Sequence, residues 1–240
     1  MTWTLVQHVH TRHSFDSMAD PTALVRHAAR EGVHVLVVTD HDTWQGSVDA
    51  RAAAEREQLD LHVVLATERF TDQGDLIGMF LTEDIAETNA LAFCDAVHAQ
   101  GGLVSLPHPY KWHRLTDELL DRVDLIEVYN ARCTPWDNSQ AEALARDKGR
   151  QMVVGPDAHR VGELMLARNE FEGERPSDEA GIRRAMLEAP RKFVTRRPSI
   201  WNEWRSQAVK FWRQPSFSLG VALARGAAIR LIDPGRFGRA

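Results

Sequence analysis

TLVQHVHTRHSFD, from Thr4 to Asp16, sets an apolar, β-prone run directly before three histidines and an aspartate. Side chains alternate along a strand, so Thr4 to Val9 reads as a strand whose carboxyl end carries His8 and His10 on one face. In a chain with 11 histidines one such cluster decides little. The same arrangement at the ends of several strands decides the fold.

Six further strands are expected at His34 to Thr39, Leu61 to Thr67, Leu76 to Leu81, Leu103 to Leu106, Leu125 to Tyr129 and Met152 to Gly155. Helices alternate with them. Asp20 and Pro21 form a cap and first turn, Leu24, Ala28 and Ala29 give an apolar stripe, and Gly32 ends that helix. Thr88 to Gln100 stops at Gly101 and Gly102, and Asp137 to Lys148 stops at Gly149. Seven strands interleaved with helices predict an α/β fold, a parallel sheet closed as a barrel rather than a sandwich. At 240 residues one main domain suffices, expected over 1–195, with a tail over 196–240.

Parallel α/β barrels gather their chemistry where the loops after the strands converge. His8 and His10 end the first strand, Asp40 and His41 in TDHD the second, and Glu68 in LATERF the third. His108 in LPHP ends the fifth, Asn130 follows the sixth, and Asp157 and His159 in GPDAH end the seventh. Imidazoles and carboxylates on one rim suit borderline divalent ions such as zinc, manganese or iron. One ion takes about four or five protein ligands, fewer than the rim provides, so two or three ions sharing a carboxylate are expected.

The net charge of −5 hides an asymmetry, since residues 191–240 carry 11 Lys and Arg against 2 Asp and Glu. The acidic main body argues against a broad nucleic-acid-binding face, leaving nucleic acid a secondary partner. Cys94 and Cys133 lie far apart and signal neither a disulfide framework nor a zinc ribbon. With no basic and apolar leader in MTWTLVQ, a cytoplasmic location is expected. No stretch approaches the roughly 20 apolar residues of a membrane span. In the tail, Ile200, Trp201, Trp204, Phe211 and Trp212 fall at helical spacing beside Arg205, Lys210 and Arg213. Such a helix packs on its own domain or meets a membrane surface or a partner protein.

The motifs HxHTxxSxD (His8 to Asp16), TDHD (Thr39 to Asp42), HP (His108 and Pro109) and GPDAH (Gly155 to His159) occur in the order seen in the polymerase and histidinol phosphatase, or PHP, superfamily. The chain resembles that superfamily from about Leu5 to His159. The resemblance implies a distorted (β/α)7 TIM-like barrel with two or three ions. One ion would be held by His8, His10, Glu68 and Asp157, a second by Glu68 and His108, a third by Asp16, His41 and His159. Many members add a His or Cys after the sixth strand, where this chain offers Asn130 and Cys133.

Asp40 and Asp42 flank His41 either as ligands or as carboxylates that orient its imidazole. Arg12, His13, Lys111 and Arg132, with His113, lie in loops on the same rim, as donors to a phosphate or as solvated charge. His27, His34, His62 and His98 read as structural.

The function expected on these grounds is metal-dependent hydrolysis of a phosphate ester, a monoester before a diester, with Asp157, His159 and His41 in the catalytic set. A small phosphorylated substrate is the expected partner. Two rivals differ by simple features. An amidohydrolase-like enzyme for C–N bonds often uses a bridging lysine, and no lysine ends the third to fifth strands. A non-catalytic PHP-like module would show eroded ligands, whereas the set here is nearly complete.

Overall fold

The computed structural model describes residues 1–198, so the predicted aromatic and basic stretch from Ile200 to Arg213 lies outside the described residues. Ten strands form: β1 Thr2–Val9, β2 Val35–Val38, β3 His62–Val64, β4 Ala66–Thr71, β5 Gly74–Met79, β6 Leu103–Leu106, β7 Leu125–Asn130, β8 Gln151–Gly155, β9 Ala167–Glu172 and β10 Arg191–Thr195. The helices are α1 Pro21–Arg30, α2 Gln45–Arg56, α3 Ala90–Ala99, α4 Asp117–Arg122, α5 Pro135–Asp147 and α6 Glu179–Glu188. A 3-10 turn spans Val161–Leu166.

The helix starts follow from local chemistry. Asp20, Asn89, Thr116, Thr134 and Asp178 each accept a hydrogen bond from a backbone N–H in the first turn. Thr134 and Asp137 complete a reciprocal capping box. Cap chemistry therefore starts two expected helices at slightly different residues, α3 at Ala90 rather than Thr88 and α5 at Pro135 rather than Asp137.

Two five-stranded mixed sheets result, ordered β10-β9-β1-β2-β3 and β4-β5-β6-β7-β8. The uniform parallel set expected from the alternation is present only in part. β1, β2 and β3 are parallel, as are β6, β7 and β8. In contrast, β4, β5 and β6 run antiparallel in turn, and β9 is antiparallel to both β1 and β10. The third expected strand breaks between β3 and β4, and β4 starts a hairpin closed at Gly74, whose φ of 115° suits glycine. Two isolated parallel bridges join the sheets, Val9 to Ala158 and His41 to Glu68.

Alternation along the strands sorts the core into layers. Leu5, Val35, Val37, Ile77 and Val153 face an interior closed by Ile182 and Met186 of α6, with Trp3 stacked on Phe171 at 4.1 Å. Val6, Leu36 and Val38 face the other way, onto α1 and α2. Leu106, Ile126 and Val154 pack under α3, α4 and α5. Each buried Leu, Ile or Val contributes about 1.5–3 kcal/mol, enough to hold polar strand ends in dry surroundings.

Candidate metal centre

Three site residues occupy backbone that L-residues seldom adopt: His8 (φ 63°), His108 (φ 29°) and Asp157 (φ 47°). Each lies where a strand ends, and such conformations cost about 1–3 kcal/mol. β1 also carries a bulge between Val6 and Val9. The convergence of His8 and His10 thus comes from a broken strand end, not from the simple alternation of a regular strand.

Glu68 is the hub. Its Oε1 lies 3.4 Å from His8 Nε2 and 3.3 Å from His108 Nε2, while Oε2 lies 3.3 Å from both His10 Nε2 and His41 Nδ1. Four imidazole nitrogens from three segments therefore surround one fully buried carboxylate. Burial opposes the charge on Glu68, yet His8 and His41 hold its carboxyl well below the usual range.

Asp157 Oδ1 stands 3.7 Å from His8 Nε2, 3.5 Å from His10 Nε2 and 3.3 Å from His159 Nδ1. Asp16 Oδ2 stands 3.0 Å from His159 Nε2 and 3.6 Å from His41 Nε2. Burial works against both carboxylates, but His8 and His10 keep Asp157 strongly acidic, and His159 and His41 do the same for Asp16. His41 loses by burial and gains more from Glu68 and Asp16, so its imidazole is pushed up to about 9. His10 is pushed down to about 4 by burial and by His159.

Potential ligand atoms gather in four groups: His10, Asp16, His41 and His159; His8, His108 and Asp157; His8, His10 and Glu68; and His41, Glu68 and Asp75. Buried polar atoms ordinarily have hydrogen-bond partners. Here His8 Nε2, His10 Nε2, both oxygens of Glu68 and Asp16 Oδ1 have none. Orphaned imidazole nitrogens and carboxylate oxygens turned toward one another are what a divalent cation would satisfy, so the donor set fits.

The supporting contacts explain the spacing of the motifs. Asp40 accepts from Thr11 N and Oγ1, both at 2.6 Å, and from Ser14 Oγ at 2.7 Å, which fixes the loop after β1. Ser14 Oγ in turn meets His10 Nδ1 at 3.1 Å and accepts from His41 N at 3.0 Å. Asp42 instead accepts from Phe70 N and Arg69 Nη1, at the hairpin.

Glu127 is fully packed inside β7 and was not singled out by sequence reasoning. Its Oε1 accepts from His8 Nδ1 at 2.9 Å, and its Oε2 accepts from His108 N at 3.1 Å and Asn130 Nδ2 at 2.8 Å. Burial works against a charge on His8, but Glu127, Glu68 and Asp157 hold its imidazole well above the ordinary value, so the metal-free ring carries both protons; on giving up the Nε2 proton to a cation it would keep the other on Nδ1 for Glu127. Gly155 makes room for it, because a Cβ there would stand 2.1 Å from Glu127 Oε1 and 2.8 Å from His8 Cβ. A carboxylate amid apolar strand residues, LIEVYN, is the signal that could have found it.

Asp75 was also missed, being on β5 outside every motif. Burial and the nearby Glu68 push its carboxyl up to about 6.

Asn130 donates through Nδ2 to Glu127 and, at 3.2 Å, to Asp157 Oδ2, while its Oδ1 accepts from Arg132 N. Cys133 joins none of the four ligand groups, and burial pushes its thiol up to about 12. Arg132 Nε lies 3.9 Å from Asp157 Oδ2. Arg12 pairs with Asp20 at 2.6 Å and His13 with Asp49 at 2.9 Å. His113 lies within hydrogen-bond distance of the backbone oxygens of Lys111 and Asp75, and burial with the neighbouring His108 pushes it down to about 4, so the neutral ring donates to one of the two.

With this geometry in place, likeness to known proteins is informative. The PHP domain model matches residues 7–98, and the PHP-associated model matches residues 135–189. An uncharacterised protein of Methanocaldococcus jannaschii is 32% identical over 138 residues, 52% of this chain and 80% of the relative. The chain belongs to the PHP domain family.

Solved structures share the PHP fold at low identity. One is a two-domain protein from Bacteroides vulgatus containing a predicted PHP-like metal-dependent phosphoesterase, with TM-score 0.66, 18% identity and coverage of 82% of this chain. This chain spans only 65% of that protein's length. An amidohydrolase from Chromobacterium violaceum has TM-score 0.55 and 15% identity, covering 67% and 89% of the two chains. A lesion-specific endonuclease from Pyrococcus furiosus has TM-score 0.56 and 16% identity, covering 80% and 58%. Among the described residues no helix is long and apolar enough to cross a membrane.

Proposed function

We propose that this chain hydrolyses a phosphomonoester at the Glu68 cluster, using two or three divalent ions of zinc, manganese or iron. The observation that carries the proposal is Glu68 itself, a buried carboxylate between four imidazole nitrogens with no hydrogen bond to either oxygen. His8, His10, Glu68 and Asp157 would hold one ion, Glu68 and His108 a second, and Asp16, His41 and His159 a third. Bound divalent cations supply a water of lowered pKa and positive charge for the departing oxygen.

The chain's own residues support hydrolysis without a side-chain nucleophile. Ser14 Oγ is committed to Asp40, and the Cys133 thiol, pushed up to about 12, is scarcely ionised at neutral pH. Arg132, 3.9 Å from Asp157, would orient a phosphate in this reading, and Lys111 follows His108 in the neighbouring loop. Two positive side chains suit the dianion of a monoester better than the single charge of a diester. The first lysine of the sequence is Lys111, so none lies on the third to fifth expected strands, which counts against the amidohydrolase-like alternative. The two sheets, bridged at Val9–Ala158 and His41–Glu68, are read as halves of the distorted barrel. Two unpaired thiols suit a cytoplasmic setting.

The test is phosphate release from a panel of monoesters and diesters with added Mn²⁺ or Zn²⁺, alongside His41→Ala and Asp157→Ala. Turnover should fall at least about a thousandfold in each variant; unchanged turnover in either refutes the site.

A further inference from the structure

The histidines of the centre are not equally supported. Nδ1 of His8 is bonded to Glu127 Oε1, Nδ1 of His10 lies 3.1 Å from Ser14 Oγ, and Nδ1 of His159 lies 3.0 Å from the backbone oxygen of Asp157. His41 turns one nitrogen to Asp16 and the other to Glu68. Imidazoles that hold a metal ordinarily have such a partner behind the ring. Among the described residues His108 Nδ1, though buried, has none. His108 also stands at φ 29°, a conformation that persists only where the surroundings enforce it. Its backbone N–H donates to Glu127, and its ring meets the rings of His8 at 5.4 Å and His113 at 5.5 Å.

His113 is itself pinned. Its Nε2 lies 2.7 Å from the backbone oxygen of Asp75 and its Nδ1 lies 3.0 Å from that of Lys111. The ring rests on Gly74, where a Cβ would stand 2.4 Å from Cδ2 and 2.7 Å from Cγ of His113. Two further bonds tie the same loop to the same turn, Arg114 N to Gln73 O at 2.9 Å and Thr116 Oγ1 to Gln73 Oε1 at 2.8 Å. That turn closes the hairpin of β4 and β5, and β4 carries Glu68, whose Oε1 lies 3.3 Å from His108 Nε2. Glu68 and His108 therefore belong to one braced unit, with His113 as the brace.

We propose that His113 is a positioning residue for His108: seated on Gly74 and Asp75, it sets the angle of the His108 imidazole by packing and so the affinity of the second ion. This rests on the metal-centre reading and deepens it with a residue outside the ligand groups.

The test follows zinc binding at each imidazole through histidine nitrogen chemical shifts of the full chain, in wild type, His113→Ala, His113→Gln and Gly74→Ala. In His113→Ala the zinc concentration at which His108 responds should rise at least about tenfold, the usual effect of removing a residue behind a ligand. His10 and His159 should respond as in wild type. Glutamine keeps an N–H for the Asp75 oxygen, so His113→Gln should recover most of the loss. Gly74→Ala displaces the ring with His113 still present, and should weaken the His108 response even where the alanine variant at 113 fails to fold. An unchanged His108 response in His113→Ala, an equal weakening at His10 and His159, or a glutamine variant no better than alanine would overturn the proposal. Zinc response at no wild-type imidazole would sink the metal-centre reading and the proposal with it, an outcome seen before any substitution is made.

Discussion

Glu127→Gln is the sharpest perturbation of this centre, because it keeps shape and volume while changing one acceptor into a donor. The wild-type carboxylate accepts three hydrogen bonds, from His8 Nδ1, His108 N and Asn130 Nδ2. A glutamine oxygen can retain the latter two, and its NH₂ then faces His8 Nδ1. The imidazole must accept there, which moves its proton to Nε2, the atom turned toward Glu68 and Asp157. A protonated Nε2 cannot ligate. Hydrogen bonds to charged groups contribute about 1.5–3 kcal/mol, and tenfold in affinity corresponds to about 1.4 kcal/mol. The expected result is therefore metal binding weakened about 10–100-fold, the range typical of residues behind a ligand. Competition against a chromophoric chelator measures the affinity, and nitrogen chemical shifts of His8 report the tautomer. Affinity within about twofold of wild type, with the proton still on Nδ1, would refute the reasoning.

Gly155→Ala should be destabilising by about 1–3 kcal/mol, because the new methyl meets Glu127 Oε1 at 2.1 Å; urea unfolding of chelated protein checks this, and an unchanged midpoint contradicts it. Metal uptake should release protons at neutral pH, since His41 is held up to about 9 and must lose its proton to ligate. For the metal-free chain the sign follows from His41 lying above its ordinary 6.5: its contribution is complete below pH 6.5 and is lost as pH rises through about 9. Calorimetry in buffers of different ionisation heat, and thermal unfolding from pH 6 to 9.5, measure the two effects. Cys94 and Cys133, both pushed up to about 12 by burial, should react with a disulfide reagent at pH 8 far more slowly in the folded chain than in denaturant; equal rates would show that the thiols are accessible.

Much of the centre was legible from local pattern. A histidine or carboxylate immediately after an apolar run is visible without a fold, and His8, His10, His41, Glu68, His108, Asp157 and His159 are brought together in the cluster around Glu68 and Asp157. Asp16 reaches it through the loop that Asp40, Thr11 and Ser14 tie down. By contrast, the ion pairs of Arg12 with Asp20 and of His13 with Asp49 are not visible in sequence. A charge on a loop takes the nearest opposite charge, and sequence does not show which that is.

The sequence by itself determined the alternation of seven expected strands with helices as far as Gly155, the Asp20 cap of the first helix, and the donor types at the strand ends, because each depends on a few neighbouring residues. Only the tertiary structure decided that β4, β5, β9 and β10 pair antiparallel, that β1 breaks at His8, that Asp75 approaches Glu68, and that Glu127 and Gly155 together seat His8. The reason is physical: pairing direction and the fate of a buried carboxylate are fixed by what packs against it from distant parts of the chain. His8 and Glu127 are 119 residues apart in sequence and 2.9 Å apart in space.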